Sequence, residues 1–142
     1  MLKIVINKEI SSVCSKVLME KTAHQAAKVE KKINGLVEIN IVSEEVIKKL
    51  NKVYRGLSKV TDVLSFAWRE EGVVNSEMLG QIYLCQAQIK RQAKSFSITV
   101  KEEMVRMLAH GLLHLVGHDH KLKPEADKMF ALQEKIVAKS LN

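Results

Sequence analysis

The sequence predicts an α+β fold: a single domain over residues 1–142 in which a small mixed four-stranded sheet packs with about five helices. Three observations support this prediction. The length of 142 residues suits one domain with a sizeable hydrophobic core. Patterns typical of strands cluster early in the chain, and patterns typical of helices come late. No repeat, low-complexity tract or linker divides the sequence.

Strand and helix patterns alternate over the first three elements. A β-rich run at residues 2–6 predicts the first strand. Apolar residues at helical spacing, opened by Ser11 or Ser12 and ending near residues 31–32, predict the first helix. Period-two alternation over residues 36–42, which follows an Asn-Gly pair, predicts the second strand.

Capping residues delimit the second helix. Ser43 is a natural N-cap with two glutamates after it, and Gly56 stands where the helical pattern would end. Residues 63–68 and 79–85 are rich in apolar residues and predict the third and fourth strands. We expect a loop at residues 72–76 between them.

Three helix patterns complete the chain. Residues 86–95 predict a basic helix. Thr99 and Glu102 form a capping box, so a second helix begins there. Pro124 opens the last helix at its N1 position.

The charge balance favours a polyanionic partner. Lys and Arg total 23 against 16 Asp and Glu, which gives a formal net charge of +7. Such an excess favours nucleic acid, although solubility alone is an equal explanation. Aromatic residues make up only 4% of the chain, which disfavours a surface that stacks many bases. Phe66 and Trp68 share one face of the third strand, where we expect core packing rather than base stacking.

Composition also indicates the compartment. No apolar run approaches the roughly 18 residues that a membrane span needs, and polar residues interrupt the N-terminus, so we expect no signal peptide. Two cysteines, Cys14 and Cys85, suit a reducing environment and predict small buried residues. We therefore expect a cytoplasmic protein without membrane contacts.

Four of the five histidines fall within residues 110–120. His110 and His114 are four positions apart on the predicted helix, so their imidazoles share one face. Gly117 permits the left-handed conformation that ends a helix, so His120 can turn back beneath them. The spacing His-x3-His-x2-Gly-x2-His is that of the long zincin motif. It predicts a zincin-like metal helix with one Zn²⁺ per chain and one open vertex, although three nitrogens also suit nickel, copper or iron.

The residue after the first histidine separates this motif from the zincin peptidases. Such peptidases need a Glu there as general base, and Gly111 cannot carry a proton. Peptide hydrolysis of the usual kind is therefore disfavoured, and a zincin-like metallopeptidase or amide hydrolase remains as an alternative.

At this motif the chain resembles the YbeY-type rRNA-maturation endoribonucleases. The family signature His-Gly-x-Leu-His-Leu-x-Gly-Tyr-Asp-His matches residues 110–120, except that His118 replaces Tyr. Further matches are spread over residues 50–66, and a weaker block contains Gln81. Val60 stands where the family usually has Pro, and Gln81 where it usually has Asp.

The resemblance implies a zinc-dependent, single-strand-specific endoribonuclease. It implies ligation of zinc by His110, His114 and His120, and a role in ribosomal RNA processing, especially small-subunit maturation, and in ribosome quality control. Ribosomal RNA, the ribosome, small-subunit proteins and assembly GTPases are the implied partners, and the oligomeric state stays open. A non-catalytic ribosome-assembly factor with a structural metal is a further alternative.

Arg55 corresponds to the family's functional arginine. Its guanidinium can hold two phosphate oxygens, and Lys52 and Lys59 can hold the strand beside it; the alternative is a solvated basic helix face. His118 is a candidate proton shuttle, because imidazoles titrate near neutral pH, or else a turn residue. Asp119 can orient a zinc-bound histidine or cap the turn. The attacking group, a water or the RNA 2′-hydroxyl, stays open.

Overall fold

The structure, a computed structural model, describes residues 1–68 and 77–142. Its elements in chain order are β1 (Leu2–Lys8), α1 (Lys16–Val29), β2 (Gly35–Val42), α2 (Glu44–Arg55), β3 (Val63–Ala67), β4 (Met78–Cys85), α3 (Gln86–Phe96), α4 (Val100–Leu115) and α5 (Lys123–Leu141). This order confirms the predicted α+β class. The loop expected at residues 72–76 lies outside the described residues.

The sheet is mixed, with strand order β1-β2-β4-β3. β1 and β4 both pair in parallel with β2, whereas β3 pairs antiparallel with β4 and lies at the edge. Residues 39–42 of β2 are all buried, although their alternation predicted one solvated face. Helices cover both faces of the sheet at this point, as is usual for parallel strands.

Two hydrophobic clusters hold the helices on the two faces. The larger one joins the sheet to α1, α3, α4 and α5, and α4 packs at its centre against α1, α3, α5, β3 and β4. The smaller one joins the other face to α2, through Val42, Ile47, Leu64 and Cys85. Because α4 is anchored on several sides, its C-terminal end is a rigid support for functional side chains.

Local capping signals predicted the ends of α2 and α4 well. The Ser43 side chain accepts a hydrogen bond from the backbone N–H of Val46 at 3.3 Å, and Gly56 adopts φ 72° at the end of α2. The Thr99 hydroxyl accepts from the N–H of Glu102 at 3.1 Å. These contacts lie within one turn of the chain, which is why the sequence alone predicts them.

Several other boundaries differ from the predictions; α1, for example, ends at Val29 and not near residues 31–32. Ser15, rather than Ser11 or Ser12, caps α1, because the Ser12 hydroxyl accepts from the Cys14 N–H in the preceding turn. Pro124 is the second residue of α5 and not the first. Its missing N–H still removes no helical hydrogen bond, because the N–H groups of the first turn have no partner within the helix. β3 ends at Ala67, and Trp68 beyond it is 38% exposed, so the expectation that it packs in the core is wrong.

Within residues 1–68 and 77–142, no helix combines the length and the apolar composition needed to cross a bilayer. Cys14 and Cys85 are buried free thiols, as expected. Burial raises the pKa of Cys14 to about 11 and also raises the pKa of Cys85. Both side chains therefore act as small apolar residues of the core.

Candidate metal centre

Three imidazoles converge at the end of α4. His110 and His114 extend from its last turns, with their Nε2 atoms 3.1 Å apart. The His120 ring lies 5.5 Å from that of His110 and 5.2 Å from that of His114, measured between centroids. One ring nitrogen of each histidine lies within 4.8 Å of those of the other two. Two nitrogens bound tetrahedrally to one ion would be roughly 3.3 Å apart, so this donor set fits a single metal ion.

A glycine turn returns the chain to the site. Gly117 adopts φ 93°, as predicted, and its N–H donates to the His114 carbonyl at 3.1 Å. The Asp119 carboxylate accepts from the backbone N–H groups of His120, at 2.6 Å, and of Lys121, at 3.3 Å. Asp119 therefore stabilises the turn that brings His120 to the other two rings, which was one of its two predicted roles.

The first histidine is oriented from α5. Gln133 Oε1 lies 2.8 Å from Nδ1 of His110, and Gln133 Nε2 donates to Glu134 at 3.1 Å. Arg106 in turn donates to both Glu134 oxygens, at 2.8 and 2.9 Å. Since the amide oxygen can only accept, Nδ1 of His110 carries the proton and Nε2 presents its lone pair to the site. Sequence analysis missed Gln133, and the available signal was a polar residue one turn after Met129 on the inward face of α5.

Burial keeps the two imidazoles of α4 neutral. Burial, together with smaller contributions from the rings of His110 and His120, lowers the pKa of His114 to about 4. Burial also lowers the pKa of His110, although the hydrogen bond with Gln133 opposes this shift. Neutral imidazoles offer the lone pairs that metal ligation requires, so the two residues are ready to bind an ion at pH 7.

A polar cavity of about 420 Å³ surrounds the histidines. Its wall comprises Arg55, Thr61, Asp62, Val63, Ser65, Ala67, His110, His114 and His120. Arg55, the last residue of α2, thus lies in the same cavity as the predicted ligands. Lys52 and Lys59 are exposed outside this wall. Their predicted contact with substrate, like that of Arg55, stays a prediction.

His118 is not brought to this cavity. Its Nε2 lies 2.7 Å from a carboxylate oxygen of Glu30 at the end of α1, and it lines a different cavity with Lys32 and Glu125. The contact lowers the pKa of Glu30. This placement favours the alternative of a turn residue that ties α4 to α1 over a proton shuttle.

A larger cavity lies on the other side of Asp62. It has a volume of about 630 Å³, and its wall carries three glutamates, Glu102, Glu103 and Glu134, against one arginine, Arg106. Arg106 donates hydrogen bonds to all three. The excess of carboxylates makes this cavity a poor site for an anionic strand, so size alone does not identify the functional cavity.

Packing explains the glycine after the first histidine. The carbonyl of Gly111 accepts a hydrogen bond from the Ser65 hydroxyl at 3.3 Å. A Cβ atom at this position would meet Ser65 Oγ at 3.1 Å and Ile82 Cγ2 at 3.2 Å. The α4 backbone therefore lies directly against β3 and β4, and any larger residue at this position would have to displace the side chains of Ser65 and Ile82.

We expect the substitution Gly111→Glu to lower the free energy of unfolding by at least about 3 kcal/mol, because it places an unpaired charge against the sheet. Urea unfolding followed by circular dichroism measures the change. Lys101→Glu, at an exposed position in the first turn of the same helix, is the control and should change stability little. Wild-type stability together with new cleavage of casein would contradict this account.

The fold and the site together define a class of protein: a small α+β protein with a zincin-like His-x3-His-x5-His centre able to hold one metal ion. Comparison with known families agrees with this class. The sequence model of the family described as Endoribonuclease YbeY matches residues 3–141. The chain belongs to this family, which confirms the resemblance found in its motifs.

Individual relatives show the extent of the similarity. The chain is 38% identical over 141 residues to Endoribonuclease YbeY of Sulfurihydrogenibium sp., covering 96% of this chain and 91% of that protein. It is 38% identical over 112 residues to Endoribonuclease YbeY of Myxococcus xanthus, covering 77% of this chain and 38% of that protein. A solution structure of a Thermotoga maritima protein superposes with a TM-score of 0.67 and 33% identity, covering 97% of this chain and 89% of that one.

Proposed function

We propose that this chain is a zinc-dependent endoribonuclease that cleaves single-stranded ribosomal RNA during small-subunit maturation and ribosome quality control in the cytoplasm. One observation carries the proposal: three imidazoles and an arginine share one polar cavity. Membership of the endoribonuclease family and the net charge of +7 support an RNA substrate. Ribosomal RNA, small-subunit proteins and assembly GTPases are the partners we propose.

The residues of the cavity have different roles in the proposed hydrolysis. His110, His114 and His120 would hold the zinc ion, which when bound supplies a Lewis acid beside the phosphate. Arg55 binds the phosphate oxygens and stabilises the charge that develops on them. Gln133 keeps His110 in the tautomer that ligates.

The proposal is tested by incubating the purified chain with three labelled substrates: a single-stranded ribosomal RNA fragment, the same fragment annealed to its complement, and casein. We expect cleavage of the single strand alone, loss of cleavage with chelator, and recovery when zinc is added back. Products ending in a 2′,3′-cyclic phosphate would identify the RNA 2′-hydroxyl as the attacking group. Cleavage of casein, or RNA cleavage that survives the chelator, would refute the proposal.

We expect Gln133→Leu to weaken zinc binding by about 10- to 100-fold, because Nδ1 of His110 loses the acceptor that fixes its tautomer. Competition with a chromophoric chelator measures the dissociation constant without any activity assay. Gln88→Leu is the matched control, since Gln88 lies on α3 and bonds to Arg91 and Gln92. Equal zinc affinity in the wild type and Gln133→Leu would show that Gln133 does not orient the ligand.

A further inference from the structure

A further cavity, lined by aromatic residues, lies on the opposite face of β3 from the metal cavity. It has a volume of about 210 Å³ and is lined by Leu50, Tyr54, Phe66, Ala67, Trp68, Gln81 and Tyr83. Along β3, Ser65 faces α4, where it bonds to Gly111, whereas Phe66 faces α2. Ala67 lines both cavities. The two sites therefore meet at the edge strand of the sheet.

The rings of this aromatic cavity are accessible. Tyr54 is 65% exposed and Trp68 is 38% exposed. The Phe66 ring packs between Tyr54 and Tyr83, with centroid distances of 5.0 and 5.8 Å. Contacts with Phe66 hold the rings of Tyr54 and Tyr83 in place, and Tyr54 and Trp68 keep part of their surface in contact with solvent. An exposed group of aromatic rings is the arrangement that proteins use to stack unpaired bases.

Two consecutive residues link the cavities. Tyr54 lines the aromatic cavity and Arg55, the next residue of α2, lines the metal cavity. A guanidinium suits a phosphate and a phenol ring suits a base, and a nucleotide carries both groups close together. The exposed lysines of α2, Lys48, Lys49 and Lys52, add positive charge along the same helix. Charge and ring placement thus match an anionic strand with an accessible base.

We propose that the aromatic cavity binds one unstacked base of the RNA strand whose phosphate lies in the metal cavity, so that the strand passes over the edge of β3. The inference rests on the proposed function and adds a physical basis for single-strand specificity. A duplex holds its bases paired and stacked, and only an unpaired strand releases a base to the rings. Gln81 lines the same cavity, and its side-chain oxygen accepts a hydrogen bond from Trp68 Nε1 at 3.5 Å, while the amide N–H groups are donors of the kind that a base edge can accept from.

The sole tryptophan of the chain reports on the site, because Trp68 lines it. The full chain is titrated with an adenylate oligonucleotide of about eight residues, with chelator present to prevent cleavage. We expect quenching of Trp68 fluorescence by the single strand and much less by the same strand in a duplex. A set of strands is then compared in which each strand lacks the base at a different position. We expect the quenching to be clearly weaker for the strand that lacks the base bound by the cavity.

The variant Tyr54→Ala should bind this oligonucleotide about 10-fold more weakly, since one stacking face is lost. Its native circular dichroism is expected to be unchanged because the ring is mostly exposed. Phe130→Ala, at an exposed ring on α5, is the matched control and should bind as the wild type does. Wild-type affinity in Tyr54→Ala, or quenching that every abasic strand retains, would overturn the inference.

The two proposals fail separately. If the wild type cleaves RNA and Tyr54→Ala binds and cleaves RNA equally well, the base site is refuted and the proposed endoribonuclease activity is supported. If the wild type cleaves no RNA but its binding of the oligonucleotide depends on Tyr54, the proposed activity is refuted and the base site is supported.

Discussion

Replacement of His114 by Ala is expected to remove the bound metal and to reduce RNA cleavage on the order of 10³-fold, because a Lewis acid contributes several kcal/mol at a phosphoryl oxygen. His114 Nε2 lies 3.1 Å from that of His110, and its loss leaves two ligands where a catalytic zinc site needs three. Metal analysis of untagged protein should fall from near one equivalent to background, and a labelled-RNA assay measures the loss of cleavage.

The control for this change is His24→Ala, at an exposed position of α1 distant in sequence from the motif. It should retain both metal and cleavage. Because a co-purified nuclease would survive the His114 substitution, the paired measurement also shows that the activity belongs to this chain. Undiminished metal content in His114→Ala would refute the assignment of the metal centre.

The substitution Arg55→Ala is expected to reduce RNA cleavage by roughly 10²-fold or more and to leave the metal content unchanged, since removal of one stabilising donor at a transition state has an effect of that size. Arg55 lines the cavity, and it is not one of the three residues that form the metal group. The cleavage rate of Arg55→Lys should lie between those of the wild type and Arg55→Ala, because lysine keeps the charge and loses the bidentate geometry. Cleavage rates at saturating RNA test the expected loss of activity, and metal analysis tests the expected retention of the metal.

Arg91→Ala is the matched control for Arg55. Arg91 is an exposed arginine that pairs with Glu44 at 2.8 Å, and exposed ion pairs contribute little to stability. Wild-type cleavage by Arg55→Ala would support the alternative that the residue belongs to a solvated basic helix face.

Much of the fold could be predicted because its signals are local. Ser43, Thr99 and Gly117 act within one turn of the chain, through hydrogen bonds and backbone angles that their residue types favour. The position of α1 was predicted less well, because Ser11, Ser12 and Ser15 carry the same local signal and tertiary packing selects among them. Ser12 caps a turn instead, next to Cys14 in the core.

In the candidate site, too, the features set by local geometry were predicted and those set by tertiary contacts were not. The four-residue spacing of His110 and His114 and the glycine turn before His120 are sufficient to bring three rings together, since helix geometry dictates which side chains share a face. Neither the contact of Gln133 with His110 nor the exposure of Trp68 was predicted. A single glutamine on the inward face of an amphipathic helix is a weak signal, and a tryptophan at a strand end is typical of a core residue.

Hydrogen bonds within a turn and the period of the helix were therefore enough to predict the class of fold and the three candidate metal ligands. The meeting of α2 with the histidines, the packing of Gly111 on β3 and β4, and the exposed rings beside the edge strand depend on contacts between segments far apart in the chain. Such contacts follow from how complete helices and sheets bury their apolar faces together. No local pattern records that outcome.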